Sequence, residues 1–198
     1  MICTVCCATK RQVEIACPDT CTYLTSAKSH PPAVVQRRQE RDVAFVMPLI
    51  SDLTETQYRL LLFFQSLIVK HADAAIPPVV DVDIAEAAAA VAATLETAGK
   101  GIIYEHQAVS VPAQRLSSEL GRGFAELAAQ AGAQRARIER DGATALRRIE
   151  RSARTAGSTL AGDEEPVYLR LLNRMLQPSG ASKDETPAPQ SGGLIVTP

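Results

Sequence analysis

The chain of 198 residues is long enough for one domain with a small appendage, and its apolar fraction of 46% is large enough for a hydrophobic core. A net charge of -1 at pH 7 excludes a global electrostatic attraction to nucleic acid or to an anionic membrane. Aromatic residues make up only 4% and tryptophan is absent, whereas alanine-rich runs are common, so the composition favours helices over an all-β fold.

Neither a membrane span nor a signal peptide is predicted. The sequence contains no apolar run of about 18 residues, the minimum for a transmembrane helix. Its N-terminus lacks the positively charged and then apolar pattern of a secretory signal. We therefore expect a cytoplasmic protein with no membrane partner, in which thiols stay reduced and a cysteine cluster binds metal or carries redox chemistry.

All five cysteines lie near the N-terminus: Cys3, Cys6, Cys7, Cys17 and Cys21. Cys3 and Cys6 are spaced as a knuckle, in which a tight turn points both thiolates at one ion. Cys17 and Cys21 are four residues apart and share one face of a predicted short helix. Four thiolates in a tetrahedron select zinc or an iron–sulfur centre. We interpret the cluster as a structural zinc site, with Cys7 as a spare or replacement ligand.

Two alternatives for these cysteines stay open. The same thiolates suit an iron–sulfur cluster or a redox switch. If Cys3 is not a ligand, the set becomes Cys6, Cys7, Cys17 and Cys21. His30 follows the last cysteine by nine residues and is either a further ligand or, as we favour, an ordinary residue at a helix end.

Three segments are predicted. Residues 1–30 form the metal knuckle, residues 31–177 form a helical domain, and residues 178–198, rich in Ser, Gly and Pro, form a disordered tail. The predicted fold class is mainly α: an irregular helical bundle with a small cysteine-rich knuckle, a long C-terminal helix and a disordered tail.

The first two helices of this domain have clear boundaries in the sequence. One helix is predicted from about 32 to 47, where Pro48 ends it or kinks it. Thr54 and Gln57 then form a capping-box pattern before an apolar run over 58–69. Because this run is apolar nearly all round, it predicts the central helix of the core, or alternatively an oligomer interface.

The third helix has an uncertain end. Asp83 caps it, and its alanine-rich faces permit close helix packing. Gly99 and Gly101 interrupt the pattern, but the apolar spacing continues to His106. We therefore favour a helix that continues to about 106 over one that breaks at Gly99.

Residues 104–106, Tyr-Glu-His, form a second candidate site. An acid/base or metal site with help from His71 is one interpretation; a tyrosine and a histidine at a helix end is the simpler one. Just before this segment, Glu96 and Lys100 are spaced as an i, i+4 ion pair.

A long helix is predicted from about 112 to 155, because apolar residues recur at spacings of three, four, seven or eight. Its glycines weaken it, so a kink or a split into two helices stays open. A short helix over 167–176 follows. The long helix carries a basic face, drawn from Arg135, Arg137, Arg140, Arg147, Arg148, Arg151 and Arg154. Such a face suits phosphates, but a solvated face or a face for an acidic partner helix is the simpler interpretation.

Two signatures resemble those of an uncharacterised bacterial family. The pattern CxxCC-x-TKR-x-VEI-x-CPxxC-x-YL, followed by HPPA, is similar to that family's cysteine motif, although Ala8 stands where the motif has a glycine. TLETAGKGIIYEH with AQRL is similar to its second signature, so the resemblance spans roughly residues 3–120. It implies that the cysteine motif acts as a unit, and implies no activity.

We expect a non-enzymatic helical protein that is stabilised by a structural zinc ion. It would act through contacts with a protein partner or with further copies of itself. The alternatives are a nucleic-acid-associated regulator, which would use the knuckle with Lys10, Arg11 and the basic face, and an iron–sulfur or redox protein. An enzyme with a site near Glu105 and His106 is the least favoured, and no catalytic residue is assigned.

Elemental analysis and a visible spectrum of protein purified without oxygen test the knuckle. We expect about one zinc ion per chain and no colour, because four thiolates satisfy the tetrahedral zinc ion. If the protein instead contains iron and shows a charge-transfer band, the cysteines hold an iron–sulfur cluster and the zinc interpretation is wrong. A metal-free protein would contradict the metal site and leave a thiol switch.

Overall fold

The structure, a computed structural model, describes residues 10, 15, 18, 20–22, 33–160 and 166–176. The last two ranges contain six α-helices: α1 (Ala33–Ile50), α2 (Glu55–Ala74), α3 (Asp81–Ala98), α4 (Val111–Ala129), α5 (Arg135–Thr159) and α6 (Val167–Leu176). The prediction of a mainly α bundle is therefore confirmed. The chain divides into two compact units, residues 1–51, which contain α1, and residues 52–198, which contain the other five helices.

Helix α1 contains Pro48 inside its last turn and ends at Ile50. The sequence predicts an end or a kink at this proline. A proline lacks its own N–H and its ring crowds the carbonyl four residues earlier, but only two further residues follow Pro48 in α1, so the effect is confined to the end of the helix.

Helix α2 begins where the sequence predicts. The backbone N–H of Gln57 donates to Thr54 Oγ1 at 3.3 Å, and the backbone N–H of Thr54 donates to Gln57 Oε1 at 3.1 Å. This reciprocal pair satisfies two amides of the first turn. The apolar run that follows supplies core side chains, including Phe64 and Ile68, which are fully buried. Contacts of α2 with α4, α5 and α6 place it at the centre of its unit.

Small residues allow the helices around α3 to approach closely. The most extensive helix contact of the unit joins α3 to α5. Ala85, Ala88 and Ala92 of α3 and Ala145 of α5 are fully buried. At Gly142 of α5 an added Cβ would lie 2.8 Å from the ring of Phe124, so any larger residue would force that ring to move.

Helix α3 ends at Ala98, so the favoured prediction of a helix continuing to about 106 is wrong and the break at Gly99 is correct. Gly101 has φ +78°, a left-handed conformation that glycine adopts without strain. The N–H of Ile102 donates to the carbonyl of Thr97 at 3.0 Å, and that of Gly101 to Ala98 at 2.9 Å. These two bonds form a Schellman cap, which directs the chain away from the helix axis.

The helix predicted over 112–155 is two helices. Helix α4 ends at Ala129 and α5 begins at Arg135, with a 3-10 turn over Gly132–Gln134 between them. Gly132 has φ +53°, again a left-handed conformation. The split that the sequence left open is therefore the observed arrangement, and the apolar spacing across 130–134 does not mark a continuous helix.

Helix α6 is anchored by a buried carboxylate. Asp81, 6% exposed, accepts the backbone N–H groups of Tyr168 at 2.8 Å and Leu169 at 3.2 Å. These amides belong to the first turn of α6, where no intrahelical acceptor exists. The hydroxyl of Tyr168 accepts a hydrogen bond from Gln65 Nε2 at 3.1 Å, and burial raises the pKa of Tyr168 to about 12.

Replacing Asp81 by alanine should lower the free energy of unfolding by about 3 kcal/mol, because two buried amides lose their acceptor. Urea unfolding measures the change. Asp73→Ala removes an exposed carboxylate at the end of α2 and is the control, with an expected effect within about 0.5 kcal/mol. Equal losses in both variants would contradict the anchoring of α6 by Asp81.

Candidate functional site

A cationic groove lies between the C-terminal end of α3 and the middle of α5. Its volume is about 560 Å³, and we call it the arginine groove. Its charged lining consists of Glu96, Lys100, Arg140, Arg147, Arg148 and Arg151. Leu95 and Ala143 add an apolar floor. The α5 members recur at spacings of three, four and seven residues, which places them on one helical face.

Arg147 is held in place by carboxylates from two helices. Its Nε and Nη2 atoms donate to Oε1 and Oε2 of Glu96, both at 2.8 Å, and its Nη1 donates to Glu150 at 2.8 Å. This side-on pairing matches the planar guanidinium to the carboxylate. Arg147 lowers the pKa of Glu96, and Glu96 in turn raises the pKa of Arg147. The sequence predicts that Glu96 pairs with Lys100; the structure shows Arg147 as its partner instead.

Arg148 is the second fixed cation of the groove. Its Nη2 donates to Asp52 Oδ2 at 2.8 Å, and this bond lowers the pKa of Asp52. The Arg148 side chain is 16% exposed, so most of it packs against the protein while its charged end reaches the carboxylate.

Three further cations of the groove form no direct ion pair among the described residues, although the charge of Lys100 lowers the pKa of Glu96 and that of Arg151 lowers the pKa of Asp52. Lys100, Arg140 and Arg151 are all exposed, and none of them takes part in an ion pair within those ranges. Arg140 Nε donates to the carbonyl of Ala136 at 3.2 Å, which leaves its terminal nitrogens without a counter-ion. These three charges are exposed to solvent at the groove.

The arginines that the sequence predicts on one basic face differ in the structure: some line the groove and others lie outside it. Arg135 pairs with Glu139 at 2.8 Å, and Arg154 with Glu150 at 3.2 Å, and neither lines the groove. Arg137 lies 3.9 Å from Asp141 and is also outside it. Sequence reasoning missed that the groove is completed by α3, since no pattern within α5 reveals which helix packs beside it.

The cysteine site lies almost wholly outside the described residues. Cys3, Cys6, Cys7 and Cys17 are not described, and neither is His30. Cys21 is half-buried, and its backbone N–H donates to the carbonyl of Pro18 at 2.9 Å. Within the described ranges, no group of three or more His, Cys, Asp or Glu side chains converges as a metal site would require. The zinc site therefore stays a prediction.

The Tyr104–His106 segment lies between α3 and α4, outside any helix. The rings of Tyr104 and His106 meet edge to face, with centroids 4.7 Å apart, and the backbone N–H of His106 donates to Thr94 Oγ1 at 2.9 Å. His106 Nε2 is buried and has no hydrogen-bond partner among the described residues. Glu105 is exposed, and His71 lines another cavity of about 270 Å³ together with Arg115. The structure thus shows ring packing here and gives His71 a separate environment.

Helices α1 to α6 include none with the combined length and apolarity needed to cross a bilayer. Comparison of the chain with protein-family models, curated proteins and solved structures finds no match. The resemblance of the two sequence signatures to a bacterial family therefore stays an expectation, and the case for a function rests on the residues of the chain itself.

Proposed function

We propose that the protein is a non-enzymatic binding protein that holds an acidic segment of a partner protein in the arginine groove, while its N-terminal cysteines hold a structural zinc ion. One observation carries the proposal: Lys100, Arg140 and Arg151 line the same cavity and form no direct ion pair among the described residues. Grouped cations repel one another, and a bound anion relieves that repulsion.

Carboxylates suit this groove in geometry. Glu96 on Arg147 and Asp52 on Arg148 are bound at 2.8 Å, which shows that the cationic face of α5 accepts carboxylates directly. The apolar floor of Leu95 offers contact to an apolar side chain next to the acidic ones. An acidic peptide carries both kinds of group.

Nucleic acid is the second candidate, favoured by the arginine-rich lining. The described lining contains no aromatic side chain on which a base would stack. Two of its arginines already bind carboxylates. These features support the acidic segment over the phosphate backbone, and we use an oligonucleotide as the competing probe.

The zinc part of the proposal rests on the spacing of the cysteines alone, with an iron–sulfur cluster as the alternative. A structural zinc ion would tie Cys3 or Cys7 to Cys21 and so order the N-terminal segment. It supplies stability to that segment and takes no part in binding by the arginine groove.

The double variant Arg140→Gln/Arg151→Gln should bind a fluorescent hexaglutamate peptide about tenfold more weakly than the wild type, because two charge contacts are lost. Fluorescence anisotropy at low salt measures the affinity. A single-stranded oligonucleotide of equal charge is measured in parallel. Tighter binding of the oligonucleotide, with the same sensitivity to the variant, would favour the nucleic-acid candidate.

The control is Arg59→Gln/Arg122→Gln, which removes the same charge from two exposed arginines that neither line the groove nor contact its residues. We expect it to bind the peptide as the wild type does. If both double variants weaken binding equally, the effect comes from net charge, and the groove is not the binding site.

Glu96→Gln should strengthen binding of the same peptide about threefold, because it removes the negative charge of the lining and releases Arg147 for the ligand. The sign of this effect separates a binding groove from a purely structural ion pair. A structural role predicts lower stability and unchanged or weaker binding. Thermal unfolding of the variant accompanies the anisotropy titration.

A further inference from the structure

A second cavity lies where the C-terminal end of α2, the loop before α3 and the start of α4 meet. Its volume is about 270 Å³, and we call it the proline cavity because Pro77 and Pro112 line it. Ala74, Ala75, Ile76 and Val79 complete the apolar part of the lining that the structure describes, and His71 and Arg115 form the polar part. The arginine groove is lined by other residues, so the two sites are separate.

The walls of the proline cavity are fixed before any ligand binds. The rings of Pro77 and Pro112 restrict the backbone on two sides of the cavity. Val79 is only 2% exposed and belongs to the hydrophobic core. Arg115 Nη1 donates to the carbonyl of Ile76 at 2.8 Å, and this bond joins α4 to the loop before α3. A preformed, mostly apolar cavity with a few polar groups is typical of small-molecule sites.

The polar groups of the lining are an arginine and a histidine. Arg115 forms no direct ion pair among the residues that the structure describes. Its bond to the carbonyl of Ile76 uses one of the five N–H donors of the guanidinium and places the charged end at the cavity. His71 is half-buried, and its ring offers an N–H donor in either protonation state. The described lining contains no carboxylate side chain.

Two helix ends of opposite partial charge border the cavity. Ala74 is the last residue of α2, where backbone carbonyl groups carry a negative partial charge. Pro112 is the second residue of α4, where backbone N–H groups carry a positive partial charge. Because these two contributions oppose each other, the full charge of Arg115 decides the sign of the site. It favours a ligand with an anionic group.

We propose that the proline cavity binds a small monocarboxylic acid with a short apolar body. The carboxylate pairs with the guanidinium of Arg115 and accepts an N–H from His71. The apolar body contacts Val79, Ala74 and Pro112. This binding is independent of the acidic segment that we propose for the arginine groove.

Size and polarity argue against larger or more polar ligands. The volume of about 270 Å³ lies just below the range of about 300–1,000 Å³ that most small-molecule sites occupy, so a ligand of few heavy atoms fits best. The hydroxyl groups of a sugar would lie against apolar side chains without hydrogen-bond partners. A second carboxylate on the ligand would likewise have no cation, since Arg115 supplies the one full positive charge of the described lining.

A chemical-shift titration of the full chain with isovalerate tests the site, because this probe joins one carboxylate to an isobutyl group. We expect saturable shifts of the backbone amides of Ala75 and Val79 and no shift at Leu95 and Ala143, which line the arginine groove. Isovaleramide has nearly the same shape without the charge and should bind about tenfold more weakly. Acetate lacks the isobutyl group and should also bind about tenfold more weakly.

Two variants separate the charge from the shape of the cavity. Arg115→Gln removes the charge and should weaken isovalerate about tenfold, with a much smaller effect on isovaleramide. Ala74→Leu fills part of the cavity and should block both probes. The control Arg122→Gln removes an exposed arginine two turns further along α4, which pairs with Glu119 and does not line the cavity. We expect it to bind isovalerate as the wild type does.

Shifts confined to the arginine groove, or no saturable shift of Val79, would overturn the proposal. Equal affinities for isovalerate and isovaleramide would do the same, and so would equal losses in Arg115→Gln and Arg122→Gln. The peptide N-acetyl-Gly-Gly-Val carries the same chemistry at a chain terminus, and tighter binding of this peptide would replace the free acid by the C-terminus of a protein. A shift of Val79 that requires the carboxylate and is lost in both cavity variants supports the site.

Discussion

The close approach of α3 and α5 is the constraint on which the unit of residues 52–198 depends. Alanine side chains fill the contact between the two helices, and Gly142 leaves room for the ring of Phe124. A larger residue at either helix face would separate them. Because α3 and α5 lie this close, Glu96 reaches Arg147 across the contact, and the arginine groove opens at the end of the same interface.

Carboxylates at the start of α3 connect this helix to α6 and to the residues that precede α4 through hydrogen bonds. Asp81 satisfies the first amides of α6, while Asp83 accepts the hydroxyl of Ser110 at 2.5 Å and the backbone N–H of Val80 at 3.1 Å. Glu86 accepts the backbone N–H groups of Val109 and Ser110, just before α4. One helix thus supplies both the apolar contact with α5 and the polar anchors of α6 and α4, which explains why its first turns carry so many acidic residues.

Local patterns in the sequence were sufficient where the determining contacts are local. The capping box at Thr54 and Gln57 predicted the start of α2, and composition predicted the helical class. The apolar spacing continues past the end of α3 and so predicts too long a helix, whereas Gly101 closes the Schellman cap in a left-handed conformation. Two glycines so near each other were the available signal for that end.

The groove was beyond sequence reasoning because its charges are combined by tertiary packing. Glu96 and Arg147 are 51 residues apart, and nothing within either helix marks them as partners. Helical periodicity predicted a basic face on α5, but which arginines keep a free charge depends on the carboxylates that neighbouring elements bring to them. Arg148, for example, is neutralised by Asp52, which lies outside any helix.

The chelate between Glu96 and Arg147 gives the groove a competitor that is covalently part of the protein. Its local concentration is fixed, so a monovalent anion such as chloride or acetate would have to compete with a carboxylate that cannot diffuse away. Under the proposed function, a segment with several carboxylates would gain from Lys100, Arg140 and Arg151 together and could bind beside the chelate or replace it. The internal carboxylate would then favour multivalent acidic ligands over small anions.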